Sequence, residues 1–198
     1  MPDPGPVTGL QEFFHVRIII GLVTGLSVTR ILTGLARFVQ SPDRNRIYAP
    51  HLAWSGFLLL YVIHFWWLEF GLMFVPRWQF QNFLFIIGYA ALIFFTAALL
   101  FPDQMEDSPS FSDYFHSRRS WFYGLLLAIL AVDLADNSFH NAAHLKLLGW
   151  TYAARQTALI AFALIGLMSR RTGVHFGLAL SAIFVELLWI VMRYRFLD

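Results

Sequence analysis

The chain is 198 residues long, 58% hydrophobic and 18% aromatic, with only 13% charged residues and a formal net charge of +2. Soluble domains carry about 25% charged residues, and so short a chain has too little interior to hide this much apolar surface from water. The absence of cysteine excludes a disulfide framework, thiolate catalysis and cysteine-ligated metal centres, and the basic residues form no stripe that would suit nucleic acid.

Residues 1–14 (MPDPGPVTGLQEFF) have no basic region leading an apolar core, so they do not read as a cleaved signal peptide. Thr8 with Gln11 three residues on fits a capping box at the start of the first helix. Six apolar stretches then take up most of the chain, at about 17–38, 51–75, 80–101, 120–139, 150–168 and 173–192. A helix needs about 20 apolar residues to span the hydrocarbon core. The pattern therefore predicts an all-α, multi-pass membrane protein, a single bundle of six transmembrane helices over residues 1–198.

The first span repeats small residues four apart at Gly21, Gly25, Thr29 and Thr33, a stripe that lets another helix pack closely. Arg30 lies beside it. Close packing there would bury the guanidinium and require a carboxylate, for which Asp133 and Asp136 are the deep acids of the opposite half. Gly21-Leu22 and Gly124-Leu125 open similar apolar runs. They suggest a 3+3 inverted repeat of the kind found in transporters, with Arg30 falling opposite Asp133.

The second span carries His64 and, five residues on, Glu69. That spacing puts them on different helix faces, so each must pair across helices, and Glu186 of the sixth span is the partner proposed for His64. Tyr61, Trp66 and Trp67 read as packing or lipid-facing aromatics. Pro76 and Pro102 end the second and third spans. Between the third and fourth lies the longest loop, with Asp103, Glu106, Asp107 and Asp113, read as solvated.

The fourth span ends in a polar ridge of Asp133, Asp136, Asn137, His140 and His144 at steps of three and four, hence on one helix face. His140 and His144 could share a divalent metal with Asp136. A water-lined face or a proton relay are the competing readings. Gly149 is expected to close the helix after this span. Trp78, Trp121 and Trp150 stand at span ends, where amphipathic rings favour the membrane interface.

Alternating helices would give one end of the bundle Arg17, Arg77, Lys146, Arg155, Arg193 and Arg195. The other end would receive Arg37, Arg44, Arg46, Arg118, Arg119, Arg170 and Arg171. Six against seven sets no orientation under the positive-inside rule. The sequence has no phosphate-binding glycine loop, dinucleotide fingerprint, nucleophile elbow or HExxH motif. One clearly mid-span histidine, His64, does not supply the paired axial ligands of a b-type haem.

The stretch SVTRILTGLAR at 27–37, with HLAW at 51–54 and HFWWLE at 64–69, resembles a group of small polytopic inner-membrane proteins of bacteria that have no assigned activity. The resemblance covers mainly the first two spans. It implies a bacterial inner membrane and a polytopic fold, and carries no activity or site residue.

Charged side chains at the centre of an isolated spanning helix cost about 2.5–3.5 kcal/mol on insertion scales. They therefore mark either function or structural pairing. The leading expectation is a protein that conducts or transports a small ion, with the proton as first candidate, along a path of Arg30, His64, Glu69, Asp133, Asp136 and Glu186. A non-catalytic accessory subunit of a larger membrane complex is one alternative, and an intramembrane metal-dependent enzyme built on His140, His144 and Asp136 is another. No cofactor is expected apart from that metal. The expected partners are the bilayer, the ion, and a second copy of the chain or another membrane protein.

Overall fold

The computed structural model describes residues 6–40, 48–74, 78–102, 110–139 and 142–193, without the side chains of 6–11, 69–70, 74, 137–139 and 142–148. These residues form six α-helices: α1 (Pro6–Gln40), α2 (Ala49–Leu68), α3 (Phe80–Leu100), α4 (Phe111–Phe139), α5 (Ala142–Met168) and α6 (Thr172–Arg193). A 3-10 turn, Glu69–Phe74, extends α2. No strand occurs among the described residues. Segments Glu12–Gln40, Ala49–Met73, Phe80–Leu100, Gly149–Met168 and Thr172–Arg193 are each long and apolar enough to cross a membrane.

Helix α4 differs from the other predicted spans. Its 29 residues are ample in length, but Asp113, Arg118, Arg119, Asp133 and Asp136 leave residues 120–132 as its longest uncharged run. It nevertheless packs between α3 and α5 as an integral stave of the bundle. Helix α1 begins at Pro6, two residues before the threonine that the capping pattern suggested. Within α5, Gly149 has φ 72° and ψ −175°, a left-handed break that glycine adopts without a Cβ penalty. It separates the short helical piece 142–148 from the spanning segment, at the position where the sequence predicted a helix end.

Packing follows periodicity. On α1 the buried residues are Phe13, Val16, Ile20, Thr24, Ser27, Ile31, Gly34 and Phe38, steps of three and four that define one inward face. Gly21, Gly25, Thr29 and Thr33 lie off that face. A Cβ at Gly21 or Gly25 would meet nothing within 4 Å, and Gly25, Thr29 and Thr33 are exposed. The small-residue stripe is thus not the packing seam within this chain. The close approach is made elsewhere: a Cβ at Gly34 would run into the ring of Phe101, and one at Gly166 into the ring of Tyr123.

The neighbours form a closed ring in the order α1, α3, α4, α5, α6, α2 and back to α1, and α2 also touches α3 and α4. Helix α2 is therefore displaced toward the axis, and its residues His51, Trp54, Phe57, Leu58, Tyr61, Val62, His64 and Phe65 are all buried. The ring does not follow a repeat of two three-helix halves. Such a repeat would carry the close α1–α3 pairing onto α4–α6, whereas among the described residues the backbones of α4 and α6 do not approach closely and the two meet through side chains such as Tyr123 and His175.

The bundle's polarity is that of a membrane protein. Large apolar side chains such as Ile18, Leu22, Phe80, Leu84, Phe95, Phe184 and Val191 face outward, whereas His51, His64, Asp133, Arg155, His175 and Glu186 are buried. Hydrocarbon solvates the first set, and polar groups must find partners inside. Trp66 and Trp67 are exposed on α2, Trp150 is exposed beside the Gly149 break, and Trp121 is exposed about three turns into α4.

Candidate functional site

Five helices send polar side chains to one interior point. Helix α2 contributes Tyr61 and His64, α3 Tyr89, α4 Asp133, α5 Tyr152, Arg155 and Gln156, and α6 Glu186. None is more than 5% exposed. By helical rise, Asp133, Arg155 and Glu186 lie about 8–11 Å inside the same end of the bundle, measured from Phe139, Trp150 and Arg193.

Arg155 organises this centre. Its Nε donates to Glu186 Oε2 at 2.7 Å and its Nη2 to Glu186 Oε1 at 3.1 Å, a two-pronged contact that matches the planar guanidinium fork. Nη1 donates to Gln156 Oε1 at 3.0 Å and to Asp133 Oδ2 at 3.5 Å. The guanidinium carbon also lies 5.6 Å from the centroid of the Tyr61 ring, within cation–π range. Gln156 is fixed in turn, because its Nε2 donates to the Leu130 carbonyl at 2.9 Å.

The carboxylates are fully engaged. Glu186 Oε1 lies 2.6 Å from His64 Nδ1. Tyr152 donates to Asp133 Oδ2 at 2.9 Å, and Tyr89 to Asp133 Oδ1 at 3.1 Å. Because a phenol carries one proton, that bond makes Tyr61 the donor in its 2.7 Å contact with the Tyr89 hydroxyl. Two carboxylates face one always-charged guanidinium. A proton held among these groups would offset the second carboxylate. The short His64–Glu186 bond is the natural place to share it.

The predicted site residues divide. His64, Asp133 and Glu186 belong to this centre. Asp136 is half-buried one turn beyond Asp133. Glu69 starts the 3-10 turn, with its side chain outside the described residues. Arg30 is not here: α1 meets α4 toward the opposite end of the bundle, where Phe38 packs on Phe111, and Asp133 is paired with Arg155 instead. Arg30 lines a groove between α1 and α3. Of the metal ridge, His140 and the side chain of His144 lie outside the described residues. Among the described residues no three His, Asp or Glu gather as a metal site.

Sequence reasoning missed Arg155, counting it among the basic residues at one end of the bundle. The available signal was the run Tyr152, Arg155, Gln156, whose spacing continues through Leu159 and Ala163 as the buried face of α5. A polar face that merges into an apolar buried face points inward. Tyr61 likewise turns inward, while its neighbours Trp66 and Trp67 face outward.

A second polar cluster occupies the opposite end. Tyr123 and His175 Nδ1 are 2.8 Å apart, and the Tyr48 hydroxyl is 3.2 Å from His116 Nε2 and 3.4 Å from Thr172 Oγ1. The rings of His116 and His175 sit 5.6 Å apart at their centroids. Arg119 Nη1 caps the end of α5 by donating to the Ser169 carbonyl at 2.6 Å. Three helices link the clusters, through Tyr48 to His64, Tyr123 to Asp133 and His175 to Glu186, spans of about 15–24 Å by helical rise. Between them Phe57, Leu58, Leu126, Leu130, Ala179 and Ala182 are all buried. The axis thus alternates polar, apolar, polar.

No family model matches the sequence, and comparison with curated proteins and with solved structures finds no significant match. The site is accordingly interpreted from its own geometry.

Proposed function

We propose that this multi-pass membrane protein moves a small ion, in the first instance a proton, between its two polar clusters, with the Arg155 centre as the binding station. One observation carries the reading: two buried carboxylates share one guanidinium and a histidine. In low dielectric buried charge is costly, so two carboxylates converging on one guanidinium favour holding a proton. A proton can enter by shuttling along the His64–Glu186 hydrogen bond. Histidine is suited to that exchange because its ordinary titration falls near neutral pH. The His116–His175–Tyr123 cluster would serve the other end, and the apolar layer around Phe57 and Leu58 would act as the barrier between them.

The test is flux. Protein reconstituted in liposomes with an internal pH dye should dissipate an imposed proton gradient faster than protein-free liposomes. Glu186→Gln and Asp133→Asn should return that rate toward the leak. Equal rates for wild type and protein-free liposomes would end the proposal.

A second reading is favoured by the completeness of the bonding. Both oxygens of each carboxylate and all three guanidinium nitrogens are engaged. Such a network can serve purely to fix helix register, as in an accessory subunit. That role predicts no flux and stable co-purification with a second membrane protein.

A further inference from the structure

The groove that holds Arg30 is separate from the axial centre. It has a volume of about 390 Å³ and is lined by Leu26, Thr29, Arg30, Thr33, Gly34 and Arg37 of α1 and by Phe94, Ala98 and Phe101 of the third helix and its end. Positions 26, 30, 33 and 37 follow one another at steps of four, three and four, so they form one stripe on α1. Leu26, Thr29, Thr33 and Arg37 are exposed, which makes the groove open on the outer, hydrocarbon-facing surface of the bundle. Its walls are apolar and its charges are both positive.

Depth decides what could fill it. Arg37 Nη1 donates to the Pro102 carbonyl at 3.2 Å, and Gly34 abuts the Phe101 ring, so the end of α3 marks the mouth of the groove. Arg30 is one turn deeper, about 6 Å below Gly34. An arginine stem covers that distance and lets the head reach toward the interface. The position of Arg30 agrees, because its charge acts on Tyr114, whose hydroxyl donates to the Leu99 carbonyl at 2.7 Å near the same mouth. The same end of the bundle presents Arg118, Arg119, Arg170 and Arg171. Withdrawing the buried Arg155 from the opposite tally leaves that end the more basic of the two, as expected for the side facing an anionic leaflet.

We propose that the α1–α3 groove is a binding site for an anionic phospholipid. The phosphate sits between Arg37 and Arg30 at the mouth, and one acyl chain runs inward past Ala98, Phe94 and Leu26. Guanidinium groups recognise phosphate oxygens through paired N–H donors. Basic pockets between spanning helices hold lipid headgroups in this manner. The apolar walls and the opening onto the bilayer select a lipid over a free anion.

The experiment is native mass spectrometry of protein in an uncharged detergent, titrated with phosphatidylglycerol or with phosphatidylcholine of the same chains. The expected result is one retained phosphatidylglycerol per chain and a clear preference over phosphatidylcholine. Arg30→Gln with Arg37→Gln should abolish the preference, and Ala98→Leu should displace the lipid by filling the groove while keeping both charges. Arg193→Gln at the opposite end should change nothing. A photoactivatable phosphatidylglycerol on the wild-type protein provides a readout that does not depend on variant folding, with crosslinks expected on α1 and α3. Crosslinks elsewhere, equal retention of the two lipids, or unchanged binding in the Arg30/Arg37 or Ala98 variants would overturn the proposal. So would displacement of the lipid by excess inorganic phosphate, which would identify a free-anion site.

Discussion

Replacing Arg155 with Met is the sharpest perturbation of the axial centre. The side chain is similar in length, so packing against Tyr61 is largely kept while the guanidinium is lost. Glu186 loses the donors at 2.7 and 3.1 Å, and Asp133 loses the one at 3.5 Å. Breaking a buried ion pair by removing one partner costs about 3–5 kcal/mol, because the other charge stays behind uncompensated. His64 still bonds Glu186, and Tyr89 and Tyr152 still donate to Asp133. The lower end, about 3 kcal/mol, is therefore expected, which is roughly a hundredfold in the unfolding equilibrium. Titration of mixed micelles with a denaturing detergent, followed by tryptophan fluorescence, measures it. Trp189 packs on Tyr152 with ring centroids 5.9 Å apart and reports directly on this region. The triple variant Arg155→Met, Asp133→Leu, Glu186→Leu removes all three charges together and should recover most of the loss, since apolar replacement of a whole buried ion network is often neutral or stabilising. A single Arg155→Met variant within about 0.5 kcal/mol of wild type, the range of an ordinary surface substitution, would refute the claim that Arg155 compensates the buried carboxylates.

Two further predictions concern packing. Gly166→Leu should destabilise by about 1–3 kcal/mol through overpacking, because its Cβ meets the fully buried Tyr123 ring, whereas Gly21→Ala, facing open space, should be neutral. Thermal unfolding in detergent separates the two, and equal melting of both variants would contradict the described seam. His51 is fully buried against the rings of Phe38, Phe101 and Phe111, and among the described residues neither ring nitrogen has a hydrogen-bond partner. An unsatisfied buried polar group costs about 1–3 kcal/mol, so His51→Phe should hold or raise the melting temperature. A clear drop would mean that the imidazole is bonded after all.

The fold was legible because bilayer length and helical rise impose one helix per apolar stretch, five of the six being long and apolar enough to cross a membrane. The boundaries at Pro102 and Gly149 came from backbone chemistry that is local to the sequence, while Pro76 lies outside the described residues. His64, Asp133 and Glu186 stood out for a related reason: each interrupts an apolar run, and such interruptions are expensive. Arg155 did not stand out, because depth along a span is uncertain by about a turn near an interfacial tryptophan. Arg30 did stand out, and the expectation of a carboxylate partner across the bundle misplaced it. An arginine within one turn of the helix end of its neighbour can reach the headgroups instead.

Composition and hydropathy by themselves determined the solvent, the helical class and the short list of costly residues, since these depend on the transfer energies of individual side chains. Helix order, the inward displacement of α2, and the pairing of Glu186 with both Arg155 and His64 were decided only by the tertiary structure. Apolar helices carry no local instruction about which neighbour to choose. Neighbours are selected by shape at sites such as Gly34 against Phe101, and by which charges end up at the same depth.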